Sequence, residues 1–125
     1  MLLNILLIAL GGAAGALSRY FLQGWVNDRT FSAFPYGTFI VNILGSFILG
    51  FLAVVGLDRF AFHPAWRTAL TVGFVGAFTT FSTLTYETLH LMENGSLVLA
   101  GANALGSLAA GLVAVWLGVV TGRLL

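Results

Sequence analysis

The chain of 125 residues contains no cysteine, no lysine and only two prolines. Charged residues make up 7% of it, five arginines and four acids, against about 25% in an ordinary soluble domain. Each scarcity excludes something. Without cysteine there is no disulfide framework, no thiolate metal site and no thiol redox centre. So few charges cannot cover the core of a soluble fold of this length, because the apolar surface left wet would associate. A formal net charge of +1 offers no basic patch for phosphates, so no nucleic-acid partner is expected. Disorder requires the opposite composition. What is present instead is 59% hydrophobic residues and a mean hydropathy of +1.02. This is the composition of an all-α integral membrane protein surrounded by a lipid bilayer.

The charges punctuate the chain. Between them lie four uncharged stretches, Met1–Ser18, Thr30–Leu57, Thr68–Tyr86 and Asn94–Gly122. Each reaches about the 18–20 residues that cross a bilayer core as a helix. The pattern predicts a single domain over 1–125 with helices near 2–24, 35–57, 67–92 and 96–122. Short connectors make neighbouring spans antiparallel. Pro35 fits the first turn of the second span. Ala13, Ala14 and Ala16 imitate a signal-peptide cleavage site, but the first positive side chain, Arg19, follows the apolar run instead of preceding it. The first span is therefore expected to stay. Arg59, Arg67 and Arg123 then fall on one side of the membrane, Arg19 and Arg29 on the other. Three against two is a weak orientation bias. Two outcomes stay open: insertion both ways up with antiparallel pairing, or a single orientation set by one extra arginine.

Sixteen glycines would burden a helical bundle in water, where each interior Gly costs about 1 kcal/mol against Ala. In lipid, small residues let helix backbones approach closely. Gly11 and Gly15 stand four apart in the first span. In the fourth, Ala102, Gly106, Ala110, Ala114, Gly118 and Gly122 form a small residue at every fourth position. Such a stripe winds around the helix and needs a crossing partner. It speaks of packing, not of a transported species.

Polar side chains inside spans are costly unless they face protein or a water-filled path. Thr38, Asn42 and Ser46 share one face of the second span, and Asn103 and Ser107 one face of the fourth. For Asn42, interhelical glue and a functional role are equally good readings. The third span carries Gly76-Ala77-Phe78-Thr79-Thr80-Phe81-Ser82-Thr83-Leu84-Thr85-Tyr86-Glu87. Glycines and β-branched threonines make it a poor continuous helix, and its hydroxyls can satisfy backbone groups freed by a break. Carbonyls freed there suit a hard cation such as Na⁺. Glu87 is the one acid near a span interior, either functional or a carboxylate at an aqueous vestibule. His63 and His90 lack metal-ligand spacing and read as interfacial. No catalytic constellation is present, so no enzymatic activity is expected.

These residues carry a resemblance. Gly11-Gly12-Ala13-Ala14-Gly15-Ala16-Leu17-Ser18-Arg19-Tyr20, then Pro35-Tyr36-Gly37-Thr38 leading to Val41-Asn42-Ile43-Leu44-Gly45, then Gly73-Phe74-Val75-Gly76 leading to Thr79-Thr80-Phe81-Ser82-Thr83 and Glu87, resemble the CrcB/Fluc family of fluoride channels. The resemblance implies an antiparallel, dual-topology homodimer in a bacterial inner membrane, with two fluoride pores and a structural Na⁺ at the interface. Carried over by motif position, the carbonyls of Gly76 and Thr79 would hold Na⁺. Asn42 would donate into a pore lined by Phe81, with Ser82, Thr83 and Ser107 along a polar track and Arg19 at a vestibule. The family pattern has a second Phe where this chain has Leu84. Phe78 would compensate only if it faces the same path, and Glu87 would lie at the end of it.

Two other classes compete. A small proton-coupled dual-topology transporter relies on an acid within the first span, which is absent here. A non-transporting assembly subunit would use the small-residue stripes but leave the in-span Asn, Ser and Thr clusters without a purpose.

Overall fold

The computed structural model describes all 125 residues, and every regular element is helical. α1 covers Leu2–Asn27, and α2 covers Tyr36–Val54 and continues through a π-helical turn, Val55–Arg59. The third span is composite: α3 (Pro64–Thr68), a π-helical segment Ala69–Val75, α4 (Gly76–Phe78) and α5 (Phe81–Glu93). α6 covers Leu97–Leu124. Four stretches, Leu2–Asn27, Tyr36–Arg59, Pro64–Glu93 and Leu97–Leu124, are long and apolar enough to cross a membrane. They extend the expected 2–24, 35–57, 67–92 and 96–122 by a few residues at most ends.

The connectors show why each helix stops. Pro35 sits one position before α2, as its N-cap, instead of inside the first turn. The second connector turns at Ala61, whose φ of 44° is left-handed. His63 then caps α3, its Nδ1 accepting the Ala65 N–H at 3.2 Å, with Pro64 as the first helical residue. After α5 the chain reverses at Gly95, φ 77°. Gly95 N–H bonds the Met92 carbonyl at 3.0 Å and Ser96 N–H the Leu91 carbonyl at 2.9 Å, which satisfies the last carbonyls of the helix. A side chain at Gly95 would carry the Cβ penalty of that conformation.

Packing follows the small residues. α2 and α6 form the most extensive interface, and α1 lies along the π-helical segment of the third span. A Cβ at Gly118 would overlap the Phe47 carbonyl, and one at Gly50 the Val115 carbonyl, so α2 and α6 meet backbone to backbone. Gly11 and Gly15 stand in the same way against the carbonyls of Ala69 and Phe74. Lipid supplies no hydrophobic drive between helices, so such close approach is what holds them. The stripe on α6 winds as expected: Ala114, Gly118 and Gly122 are buried, while a Cβ at Gly106 would meet nothing within 4 Å.

Candidate functional site

The third span breaks at two residues. Thr79 (φ −86°, ψ 158°) and Thr80 (φ −149°, ψ 113°) are extended between α4 and α5. Two threonines sustain the break because each supplies its own hydrogen bonds. Thr79 Oγ1 donates to the Val75 carbonyl at 3.0 Å. Thr80 caps α5, its Oγ1 accepting the Thr83 N–H at 3.2 Å and donating to Thr83 Oγ1 at 2.9 Å.

Asn42 braces the break from α2. Its Nδ2 donates to the Thr80 carbonyl at 3.1 Å, and its Oδ1 accepts the Thr80 N–H at 2.8 Å. The side-chain amide thus pairs with the backbone as a neighbouring strand would. Of its two N–H groups one is spent on Thr80. The Thr80 N–H would go to the Gly76 carbonyl in an unbroken helix, so that carbonyl loses its helical partner. The Thr79 carbonyl receives no backbone N–H either. Gly45 makes room for the kink, because a Cβ there would overlap the Thr79 methyl.

Asn42, Ser46, Thr79, Thr80 and Ser107 line a groove of about 390 Å³ between α2, α5 and α6, with Phe81 and Leu84 on its wall. Phe81 is 77% exposed, so its ring stands at the lip. Leu84 and Phe81 also border a second, more apolar groove of about 320 Å³ along α5 and α6. Phe78 lies apart from both. It is 3% exposed and stacked on Phe74 with ring centroids 5.8 Å apart, so it faces neither groove.

From the groove a polar column runs along facing sides of α2 and α5. One turn beyond Thr83 on α5 lies Glu87. One turn before Asn42 on α2 lies Thr38, 2% exposed, whose Oγ1 donates to Glu87 Oε1 at 2.7 Å. Gln23 of α1 in turn donates to Thr38 Oγ1 at 2.9 Å. Beside the column, Asn103 donates to Thr88 Oγ1 at 3.0 Å. Three buried atoms have no partner in the chain: Glu87 Oε2, Asn103 Oδ1 and Ser107 Oγ. Each such atom costs about 1–3 kcal/mol unless something else meets it. Ser107 is the informative one. Other hydroxyls of the spans, including Ser46, Thr71, Thr88 and Thr121, donate to the carbonyl one turn back.

The expected site residues divide accordingly. Asn42, Phe81, Leu84 and Ser107 share the groove, with Thr79 at its floor. Thr83 and Glu87 continue the column. Ser82 is exposed on α5, away from the groove lining, and Arg19 is half-buried on α1. Gly76 is exposed just before the break. Thr80 and Gln23 were not anticipated. The repeated Thr79-Thr80 could have singled out Thr80 as the cap; no local pattern marks Gln23, whose partner Thr38 lies 15 residues away. No group of three or more His, Cys, Asp or Glu side chains could hold a metal ion.

Residues 6–119 match the family model described as "CrcB-like protein, Camphor Resistance (CrcB)". The chain is 48% identical over 122 residues to the Fluoride-specific ion channel FluC of Geotalea uraniireducens, covering 98% of each chain. It is 46% identical over 120 residues to the protein of the same name in Geotalea daltonii, covering 96% of this chain and 97% of that one. With that of Nitratidesulfovibrio vulgaris it shares 49% identity over 121 residues, 97% of this chain and 98% of the relative. The broken third span with its Thr79-Thr80-Phe81-Ser82-Thr83 core and the full-length match to these bacterial proteins make this chain a member of the CrcB-like family.

Proposed function

We propose that this protein is a passive, fluoride-selective channel of the bacterial inner membrane, which lets fluoride leave the cytoplasm and catalyses no reaction. The observation that carries this is the groove at the broken span, lined by the neutral amide and hydroxyl groups of Asn42, Thr80 and Ser107, in a chain whose relatives are named fluoride-specific ion channels. Fluoride is small and tightly hydrated, so a pore must replace its water with close donors. Amide N–H and hydroxyl O–H groups of Asn42, Thr83 and Ser107 can do so. The edge of the Phe81 ring, partly positive, can face an anion as well. Arg19 supplies positive charge near the approach.

The working unit is an antiparallel homodimer of oppositely inserted copies with two pores. The near balance of arginines across the membrane favours it, as does Phe81, whose ring lies 77% exposed beside an open groove. A Na⁺ ion would be held by the carbonyls of Gly76 and Thr79. The donor set fits a hard cation, since the break leaves both without their helical N–H partners. Bound there, the ion would neutralise their partial negative charge and fix the break.

The test is fluoride efflux from liposomes that contain only the purified protein. Fast efflux that excludes chloride and needs no proton gradient is expected. Efflux that requires a proton gradient would favour a coupled transporter. None at all, from liposomes shown to hold folded protein, would return the chain to a structural role.

A further inference from the structure

We infer that the end of the molecule built around the second connector binds the phosphate of an anionic glycerophospholipid, with Arg59 and Arg67 as its ligands. The inference does not depend on what the protein conducts. Three of the five arginines fall at span ends on this one side. Arg59 closes the second span, Arg67 lies in the first turn of the third, and Arg123 is the last residue but one of the fourth. Asp58 is the one acidic side chain among them. Arg59, Arg67 and Arg123 against Asp58 leave +2 at this end, whereas Arg29 against Asp28 and Glu93 leaves −1 at the opposite end. Arg19 belongs to neither count, since it lies inside α1, about 12 Å short of the helix end. Span ends sit at headgroup depth, where each arginine strengthens attraction to anionic lipid.

Packing gathers these three segments at one place. Phe60 N–H bonds the Val55 carbonyl at 2.9 Å and Phe62 N–H the Gly56 carbonyl at 2.9 Å, so the connector folds back over the π-helical turn that ends the second span. A Cβ at Gly56 would stand 3.8 Å from Arg67 Cγ, which puts the Arg67 stem on that same turn. A Cβ at Gly122 would stand 3.0 Å from Val54 Cβ, so the end of α6 flanks the turn as well. Arg59 crosses between them, its Nη2 donating to the Arg123 carbonyl. That bond goes to a carbonyl, not to a carboxylate, and leaves the positive charge of Arg59 uncompensated. Four of its five N–H groups remain for a ligand. The planar guanidinium fork matches phosphate oxygens two at a time. Beside the arginines, Phe60 is 63% exposed and Trp66 58% exposed. Aromatic rings at a span end are interfacial anchors, and here they give the acyl chains below a bound phosphate an apolar surface. Free phosphate would meet the arginines and leave both rings unused, so the combination favours a lipid.

The three tryptophans, Trp25, Trp66 and Trp116, serve as position markers for the test. Trp25→Phe with Trp116→Phe leaves Trp66 as the sole indole, at the proposed site. Trp66→Phe with Trp116→Phe leaves Trp25, at the opposite end. Each purified protein is reconstituted into phosphatidylcholine vesicles that contain one lipid brominated near the carbonyl end of its chains. That lipid is either phosphatidylglycerol or phosphatidylcholine, at the same mole fraction. Bromine quenches an indole it touches, so the two quenching levels give the relative affinity at that end. At Trp66, phosphatidylglycerol is expected to be favoured by about fivefold to thirtyfold, the range for one or two arginines near a membrane surface. At Trp25 the ratio should be close to one. Arg67→Gln in the Trp66 reporter should lower the preference by about fivefold. Arg59→Gln should do the same, and Arg67→Gln keeps the test decisive if loss of the contact with α6 unfolds the Arg59 variant. Millimolar inorganic phosphate should leave the preference unchanged. An equal preference at both reporters, a preference untouched by Arg67→Gln, or displacement by inorganic phosphate would each overturn the inference. No fluoride enters these readings, so the channel reading stands or falls separately.

Discussion

Replacing Asn42 by Asp exchanges one donor for an oxygen and so separates the two jobs this side chain performs. The remaining oxygen still accepts the Thr80 N–H, now at 2.8 Å, but the donor that met the Thr80 carbonyl at 3.1 Å is gone. Thr80 is 7% exposed, so water does not replace the lost bond. An orphaned buried carbonyl costs about 1–3 kcal/mol, which lowers the thermal midpoint without unfolding the protein. The larger effect is on transport. Two like unit charges about 4 Å apart at an effective dielectric of about 20 repel by about 4 kcal/mol. At about 1.4 kcal/mol per factor of ten, fluoride passage slows by about a thousandfold. The assay is the initial rate of fluoride efflux from liposomes matched for protein content, alongside thermal unfolding in detergent. Asn42→Leu serves as the comparison: it loses both hydrogen bonds and adds no charge, so it should destabilise more and block less. Undiminished efflux from Asn42→Asp would place Asn42 outside the path and refute the reasoning.

Other substitutions follow from the same geometry. Ser107→Ala removes a buried hydroxyl that has no partner in the chain. Thermal stability should hold or rise by up to about 1 kcal/mol, while fluoride efflux falls; a loss of stability with unchanged efflux would make Ser107 structural. Gly118→Val drives side-chain atoms into the Phe47 backbone on α2 and should cost about 1–3 kcal/mol. Gly106→Ala, with open space around it, should leave the unfolding midpoint of the monomeric chain in denaturing detergent titrations unchanged. If Na⁺ binds the carbonyls of Gly76 and Thr79, purification in a bulky organic cation should lower the thermal midpoint and Na⁺ should restore it, as mass action requires. A midpoint indifferent to Na⁺ would remove the ion from the account.

The charges that delimit the spans were legible because a charge in hydrocarbon is costly wherever it falls in the chain. The break was legible too: glycines and paired threonines are poor helix formers, and the extended pair falls at Thr79 and Thr80. What happens at the break was not. Phe78 and Phe81 are three apart and would share a face on a continuous helix. The two extended residues between them turn the second half of the span, leaving Phe78 buried at 3% and Phe81 exposed at 77%. Asn42 could be named as polar and in-span. That it clasps the Thr80 backbone depends on a contact between residues 38 apart, which no local pattern encodes. The same holds for Thr38 with Glu87 and for Gln23 with Thr38. The π-helical segments Val55–Arg59 and Ala69–Val75 were also invisible, because side-chain periodicity scarcely distinguishes an inserted residue from ordinary helical drift.

The most direct measurement is the reversal potential of the current through planar bilayers containing the purified protein. With unequal fluoride and equal chloride on the two sides, the current should reverse at the fluoride equilibrium potential, whether or not a pH gradient is imposed. A reversal potential that follows chloride, or that moves with the pH gradient, would contradict a passive fluoride path built from neutral donors.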